Sequence, residues 1–304
     1  MKKEYLLVIY TIFVWGTLPA VTKITLINIS NMQVLFISSL IATICLFLYL
    51  IISRKIRLFH KVTKKDLLYL SCLGFLGNFL YSAFYYASLR ILSSTDACTI
   101  NYLWPVIASI CASFVLNERI HKEGFLAILI SFVGVVIIST KGGGLHILDF
   151  KGIFLCIIGA ICYGVFNVLN KQKGMDQYLC TTIYFAVTAL CSGILIFMTE
   201  KPSKISMETF MGIIWLGVFI DAFATLALGL AMQKIYVRLL SNFVYITPMV
   251  AMLVSFVFLG EAVEFHSVFG MIFILGGCIF QMFRKRNKSR NEGTSCKDVW
   301  IRKQ

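Results

Sequence analysis

Residues 101–118 read NYLWPVIASICASFVLNE, and residues 242–261 read NFVYITPMVAMLVSFVFLGE. Each is an apolar run, opened by polar and aromatic residues around one proline and closed by a glutamate. Pro105 and Glu118 are 13 residues apart, and so are Pro248 and Glu261, in a chain with only four prolines. The two pairs are offset by 143, which also carries Leu73-Gly74 onto Leu216-Gly217 and Gly134 onto Gly277. At a slightly larger offset of 148, Trp15-Gly16…Lys23 falls on Tyr163-Gly164…Lys171. Self-similarity at a fixed period marks an internal repeat. Apolar helices share Gly and Leu readily by chance, but two Pro…Glu pairs at one spacing favour a repeat. Its join falls in Lys141-Gly-Gly-Gly-Leu145, near the midpoint of the 304 residues.

The repeat is built of helices that belong in a membrane. Hydrophobic residues make up 59% and charged residues 14%, against roughly 45–50% and about 25% in a soluble domain; mean hydropathy is +0.86. One soluble core cannot hide that much apolar surface. A soluble enzyme, a disordered chain and a nucleic-acid-binding module are therefore excluded as first readings. Crossing hydrocarbon takes roughly 20 predominantly apolar residues as helix, because no backbone group can stay unpaired there. Ten stretches qualify: 5–26, 32–53, 67–89, 96–117, 124–140, 151–170, 177–199, 209–233, 239–259 and 264–283. Five spans per half is an odd number, so the second half enters the membrane from the opposite side. The expected fold is an all-α polytopic membrane protein with ten transmembrane helices as two inverted five-helix repeats. Residues 1–140 form the first repeat, 141–150 the connecting loop, 151–285 the second repeat and 286–304 a basic tail. Inverted five-span repeats put a binding cavity near the midplane, between halves that rock about it.

The net charge of +14 reads as topology. With ten spans both termini share a side, which holds Lys2, Lys3, six cations in 54–65, Arg119, Lys122, Lys171, Lys173, Lys234, Arg238 and eight in the tail. The other side holds Arg90, Lys141, Lys151, Lys201 and Lys204, with Lys23 near the end of span one. Lys and Arg collect on the cytoplasmic side, so both termini are expected there, in a multi-pass protein of the cell (inner) membrane. The tail suits anionic lipid as a further partner, and no nucleic acid is expected. The N-terminal apolar run lacks a small-x-small cleavage site and continues through Trp15 and Pro19, so it reads as a retained helix.

Candidate site residues lie toward the middle of the spans. A proline inside a helix bends the axis and frees the carbonyl four residues back: Asn101 for Pro105, Val244 for Pro248. Such carbonyls need partners from neighbouring helices or a wet cavity, so a plain kink and a kink lining a cavity both remain open. Pro19 offers a third kink, on a stripe with Thr11, Trp15 and Thr22. Asn78, Tyr81, Ser82 and Tyr85 share one face of span three at i, i+3, i+4, i+7. Tyr163, Phe166, Asn167 and Asn170 share one of span six, while Asn101, Tyr102, Trp104 and Tyr245 flank the two later prolines. Any single Tyr or Trp is expected at the membrane interface; rings aligned with amides near mid-span suit an amphipathic, ring-bearing solute.

Asp221 is the one acid well inside a span. Burying it costs about 2.5–3.5 kcal/mol on insertion scales, so it should face the bundle or water. It reads either as a proton-titrating or substrate-ammonium group, or as a helix–helix hydrogen bond; its repeat partner is Asn78. Lys23 and Lys171 occupy matching helix ends and are expected to snorkel. Glu118 and Glu261 are expected to serve the positive N-terminus of the next helix. Ten scattered cysteines without C-x-x-C offer no metal site, and the histidines 60, 121, 146 and 266 lie in loops or at span ends. No nucleophile elbow, zinc motif or phosphate loop occurs, so no catalytic set, metal or cofactor is expected and the chain is not read as an enzyme. A polytopic enzyme or sensor would need a polar cluster at one face or a cytoplasmic domain, and neither is evident.

Ten spans in two inverted halves, with Trp15-Gly16…Lys23, Pro105 through Leu116-x-Glu118 and Pro248 through Leu259-Gly-Glu261, resemble the drug/metabolite transporter superfamily, specifically its EamA-type members. The resemblance covers residues 1–285. Asn101-Tyr-Leu-Trp-Pro105 is similar to the span-four motif of the aromatic amino acid exporters. The resemblance implies an inner-membrane exporter working by alternating access along a central aromatic-lined path. It implies that Tyr102 and Trp104 line that path and that Tyr163 stands where an aromatic is expected; Tyr81 and Tyr85 lie on a span the family also uses. One departure is that 32–53 lacks the Arg many members carry there. The expected function is secondary export of aromatic or other amphipathic amino acids. The alternative on the same fold is efflux of drugs or other small metabolites. The expected partners are a small-molecule substrate and membrane lipid, and a monomer is expected over an obligate oligomer.

Overall fold

The computed structural model describes residues 3–115, 122–140, 147–171, 175–200, 205–234 and 246–292. Among them there is no strand. In chain order the helices are α1 (Lys3–Thr25), α2 (Asn31–Ile52), α3 (Lys64–Leu89), α4 (Ser94–Asn101), α5 (Trp104–Val115) and α6 (Lys122–Thr140). They continue with α7 (Ile147–Lys171), α8 (Gln177–Thr199), α9 (Met207–Ile214, running on through Trp215–Ala224 into Thr225–Lys234), α10 (Thr247–Leu259) and α11 (Phe265–Glu292). Six described helices are long and apolar enough to cross a membrane, in α1, α2, α3, α7, α8 and α9, and shorter apolar helices lie at Leu129–Ile138, Thr247–Leu259 and Phe265–Gly277.

Polarity is distributed as hydrocarbon surroundings require. Ser38, Ser39, Thr188 and Ser192 are fully buried, while Phe197, Ile52 and Phe265 stand more than 80% exposed. Several buried hydroxyls bond back to their own helix, Thr188 to the Tyr184 carbonyl at 2.9 Å and Ser192 to that of Thr188 at 2.6 Å. Such back-bonding lets a polar side chain sit inside the bundle without an orphaned donor. At the helix starts, side chains satisfy the free N–H groups of the first turn. Ser30 with Gln33 and Thr63 with Asp66 form capping boxes, and Asp176 accepts from the Tyr178 and Leu179 amides.

The helices pack in pairs that match across the repeat. α2 lies on α8 and α6 on α11; α1 packs on α10 as α7 packs on α5; α3 packs on α7 and α8 as α9 packs on α1 and α2. Close approaches repeat the pattern. A Cβ on Gly16 would meet Val250, and one on Gly164 would meet Ile107; 107 and 250 differ by the repeat offset of 143. A Cβ on Gly74 would lie 2.8 Å from the Tyr184 Cα, and one on Gly217 2.8 Å from the Ser38 carbonyl and from Ile41. Because the obstacle is backbone on both sides, Gly74→Val and Gly217→Val force the helices apart. Overpacking of this kind costs about 1–3 kcal/mol. Each variant is expected to lower the thermal midpoint of the detergent-solubilised protein by several degrees, whereas Gly276→Val, where a Cβ meets nothing within 4 Å, should leave it unchanged.

Two local features depart from the sequence expectation. The fourth span, expected as one kinked helix over 96–117, is interrupted: α4 ends at Asn101, Tyr102 and Leu103 form a turn, and α5 begins at Trp104. Pro105 therefore breaks the span, since proline lacks the N–H that would continue the ladder but fits the first turn of a new helix. Pro248 likewise stands in the first turn of α10. Pro19 stays inside the continuous α1. Second, α3 and α9 each carry a π-helical stretch, Phe75–Leu80 and Trp215–Ala224. The first, shifted by 143, falls within the second. A π turn adds a residue to the helix and re-aims the side chains around it, and such turns cluster at functional sites.

Candidate functional site

The π turns, the α4–α5 break and the start of α10 converge on one cavity of about 100 Å³. A water needs roughly 10–15 Å³ on this measure, so the space holds several waters or part of a small solute. Its wall takes Trp15 and Pro19 from α1, Asn78, Tyr81 and Tyr85 from α3, Asn101 from α4, Tyr102 and Trp104 around the break, Tyr163 from α7 and Asp221 from α9. All these positions were marked in the sequence. Asn167 is not on the wall: its amide turns back to the Tyr163 carbonyl of its own helix at 2.7 Å. Pro105 and Pro248 shape the backbone beside the cavity without lining it. Tyr245, Glu118 and the Gly142–Gly144 linker lie outside the described residues.

Rings from both halves form a continuous wall. Tyr81 stacks on Tyr85 (5.8 Å between centroids, 9° between planes) and on Tyr163 (4.6 Å, 27°). Tyr163 meets Trp104 edge-on (5.3 Å, 78°) and Phe166 at 5.9 Å, and Phe166 meets Tyr184 edge-on. Ring pairs at these separations are each worth about 0.5–1.5 kcal/mol beyond the area they bury, so the wall is firm without being covalently fixed. The Asn101 amide nitrogen donates to the Tyr81 hydroxyl at 3.1 Å. Its oxygen is buried with no hydrogen-bond partner among the described residues, which leaves an acceptor ready for a donor from water or solute.

Asp221 also lines the cavity, partly buried on the π stretch of α9, with Ser38 and Tyr86 as neighbours. Tyr86, Phe185, Cys98, Thr225 and Thr247 also line the cavity, and the sequence reading did not single them out. Tyr86 sits one position after Tyr85 and is off the helical stripe; Phe185 and Thr225 come from helices whose polar face is diluted by Leu and Ala. The signal for Thr247 was its place beside Pro248. Among the described lining residues there is no Lys, Arg or His.

The charged span ends differ from expectation. Lys23, in the last turn of α1, has fixed partners: its ammonium donates to Glu261 at 2.7 Å and to the Leu92 carbonyl at 3.0 Å. Glu261 accepts from the Ser94 amide at 2.9 and 3.1 Å. It thus serves the N-terminus of α4, in the other half of the chain, and not that of the helix that follows it. An isolated N-terminus carries partial positive charge, and Glu261 meets it together with the Lys23 ammonium.

Residues 2–140 and 150–283 each match the EamA-like transporter family. An uncharacterized transporter of Clostridium kluyveri is 26% identical, over 96% of this chain and 96% of its own. One of Archaeoglobus fulgidus is 24% identical over 93% of this chain and 100% of its own, and the uncharacterized transporter YyaM of Bacillus subtilis is 27% identical over 68% and 70%. A solved crystal structure, 19% identical, has the same fold with a TM-score of 0.71 over 94% of this chain and 99% of its own. With both matched segments together spanning most of its length, the chain belongs to the EamA-like transporter family.

Proposed function

We propose that this transporter exports aromatic or other amphipathic amino acids across the cell (inner) membrane by alternating access. In this reading ten spans form two inverted five-helix repeats, 1–140 and 151–285, joined by 141–150 and followed by the tail 286–304. Both termini are cytoplasmic and the working unit is a monomer. The matched helix pairs and the reciprocal contacts Gly16–Val250 and Gly164–Ile107 support the repeat. The observation that carries the function is the ring wall, built from Tyr81, Tyr85 and Trp104 of one half and Tyr163 and Phe166 of the other. A solute stacked on it touches both halves at once, so movement of the halves moves the solute's exposure from one side to the other.

Counterflow in proteoliposomes tests the reading. Vesicles loaded with unlabelled phenylalanine, tyrosine or tryptophan are expected to accumulate the labelled amino acid, and protein-free vesicles are not. One observation favours a second substrate class, cationic drugs or related metabolites: Asp221 lines the cavity, with no basic side chain among the described lining residues to pair with an amino acid carboxylate. If none of the three amino acids exchanges while an aromatic amine does, the amino acid reading is overturned and the second takes its place.

A further inference from the structure

Three helices that line the cavity, α1, α4 and α10, run from it toward the same end of the bundle and meet there at one carboxylate. On α1, Lys23 lies one turn beyond Pro19; on α4, Ser94 lies one turn before Cys98; α10 begins at the cavity with Thr247 and ends just before Glu261. Glu261 accepts from the Lys23 ammonium and from the Ser94 amide, and Lys23 reaches on to the Leu92 carbonyl. The pair is half-sheltered, with 32% of the Lys23 side chain and 16% of the Glu261 side chain exposed. A second tie lies alongside: buried Asp96, in the first turn of α4, accepts from the Ser267 hydroxyl of α11 at 2.6 Å, with His266 at 3.8 Å and Glu264 beyond it at 3.0 Å from the imidazole. Both ties join an element of residues 1–140 to one of residues 151–285.

We infer that Glu261 is the positioning residue of a gate, which holds the cavity shut at the end of the bundle away from the termini until the Lys23 and Ser94 contacts are released together. The contacts suit a gate better than a permanent strut. Charge-assisted hydrogen bonds are strong and directional, yet these are few and lie where the chain turns between helices, so they break as a set without unpacking a core. Gly260, which ends α10 just before Glu261, has the positive φ of 64° that glycine adopts at no steric cost. Solute leaving at this end must separate α1 and α4 from the α10–α11 turn, and Glu261 is the atom group all of them share.

The inference rests on the transport reading for its purpose, and on the cytoplasmic termini for which face the gate closes, but its test needs no substrate. Cys98 lines the cavity one turn below Ser94 and is 4% exposed, so it reports whether the gate is open. Full-length protein in membrane vesicles of both orientations is treated with a membrane-impermeant thiol reagent, and Cys98 modification is read by peptide mass spectrometry. Glu261→Gln is expected to raise the rate of Cys98 modification at least fivefold, from the face opposite the termini only. Lys23→Gln, which leaves the Glu261–Ser94 contact in place, should raise it less. A variant that unfolds would expose Cys98 to reagent from both faces, and Lys23→Gln then decides. Unchanged modification in both variants, or a rise from the terminal face, overturns the gate. A normal gate response in a protein that moves no amino acid would instead count against the substrate reading and leave the gate standing.

Discussion

Alanine in place of Trp104 is expected to abolish transport, with the counterflow rate falling at least tenfold while the protein remains folded. Trp104 opens α5 directly after the Tyr102–Leu103 turn, and its ring meets Tyr163 edge-on at 5.3 Å. Its carbonyl lies against Gly164, where a Cβ would come within 2.9 Å. The residue thus joins the broken span of one half to the α7 helix of the other, and its ring closes one side of the cavity. Removing it takes a ring from the cavity wall and a contact from the interface between the halves at the same time. Whole truncation of a fully buried Trp costs about 3–5 kcal/mol, but Trp104 is only partly buried, so the loss of function should outrun the loss of stability. Trp104→Phe separates the two. A phenyl ring restores stacking without the indole N–H, and at least a third of the rate is expected to return. Transport unchanged in Trp104→Ala would sink the assignment of the ring wall as the solute path.

Much of this was legible in the sequence, and what was not has a physical reason. Pro105 and Pro248 sit in the first turns of α5 and α10, and Glu261 just past the end of α10, where residue type is dictated by backbone chemistry, so their spacing survives as a readable frame. The stripe Asn78, Tyr81, Tyr85 follows helical periodicity and reaches the cavity wall as expected. Periodicity also marked Asn167, yet the structure turns its amide back to the Tyr163 carbonyl; a stripe gives a face, and it cannot say which polar group on that face is already satisfied by its own helix. The break at Tyr102–Leu103 was expected as a bend, because proline alone does not tell whether the preceding turn stays helical. The π stretches leave no mark in a 3.6-residue pattern, since they add a residue without changing composition. Glu261 illustrates the widest gap. Its pairing with Lys23 and Ser94 spans 238 and 167 residues, and only the packing of α10 against α1 and α4 decides which helix end the carboxylate meets.

Asp221→Asn is the second substitution expected to have a large effect, and of a different kind. Asp221 and Asn78 stand at equivalent positions of the two repeats, each on a π-helical stretch, and both line the cavity. An amide is therefore already accommodated by this backbone geometry in one half. In the other half an amide still fits beside Ser38, but it cannot bind and release a proton. If Asp221 serves only as a helix–helix hydrogen bond, the substitution should change neither counterflow nor its response to pH. If the carboxyl carries the coupling proton, counterflow without a pH gradient should stay within about twofold, whereas the stimulation by a proton gradient directed against export should disappear. The sign follows from the exchange. A proton taken up from the acidic outer side neutralises the carboxyl and lets the empty site return, and release on the cytoplasmic side readies the site for the next cycle. Asp221→Glu keeps a titratable group one methylene further out and should retain at least part of the stimulation. Proton-gradient stimulation that survives in Asp221→Asn would remove Asp221 from the coupling path and leave it a structural role alone.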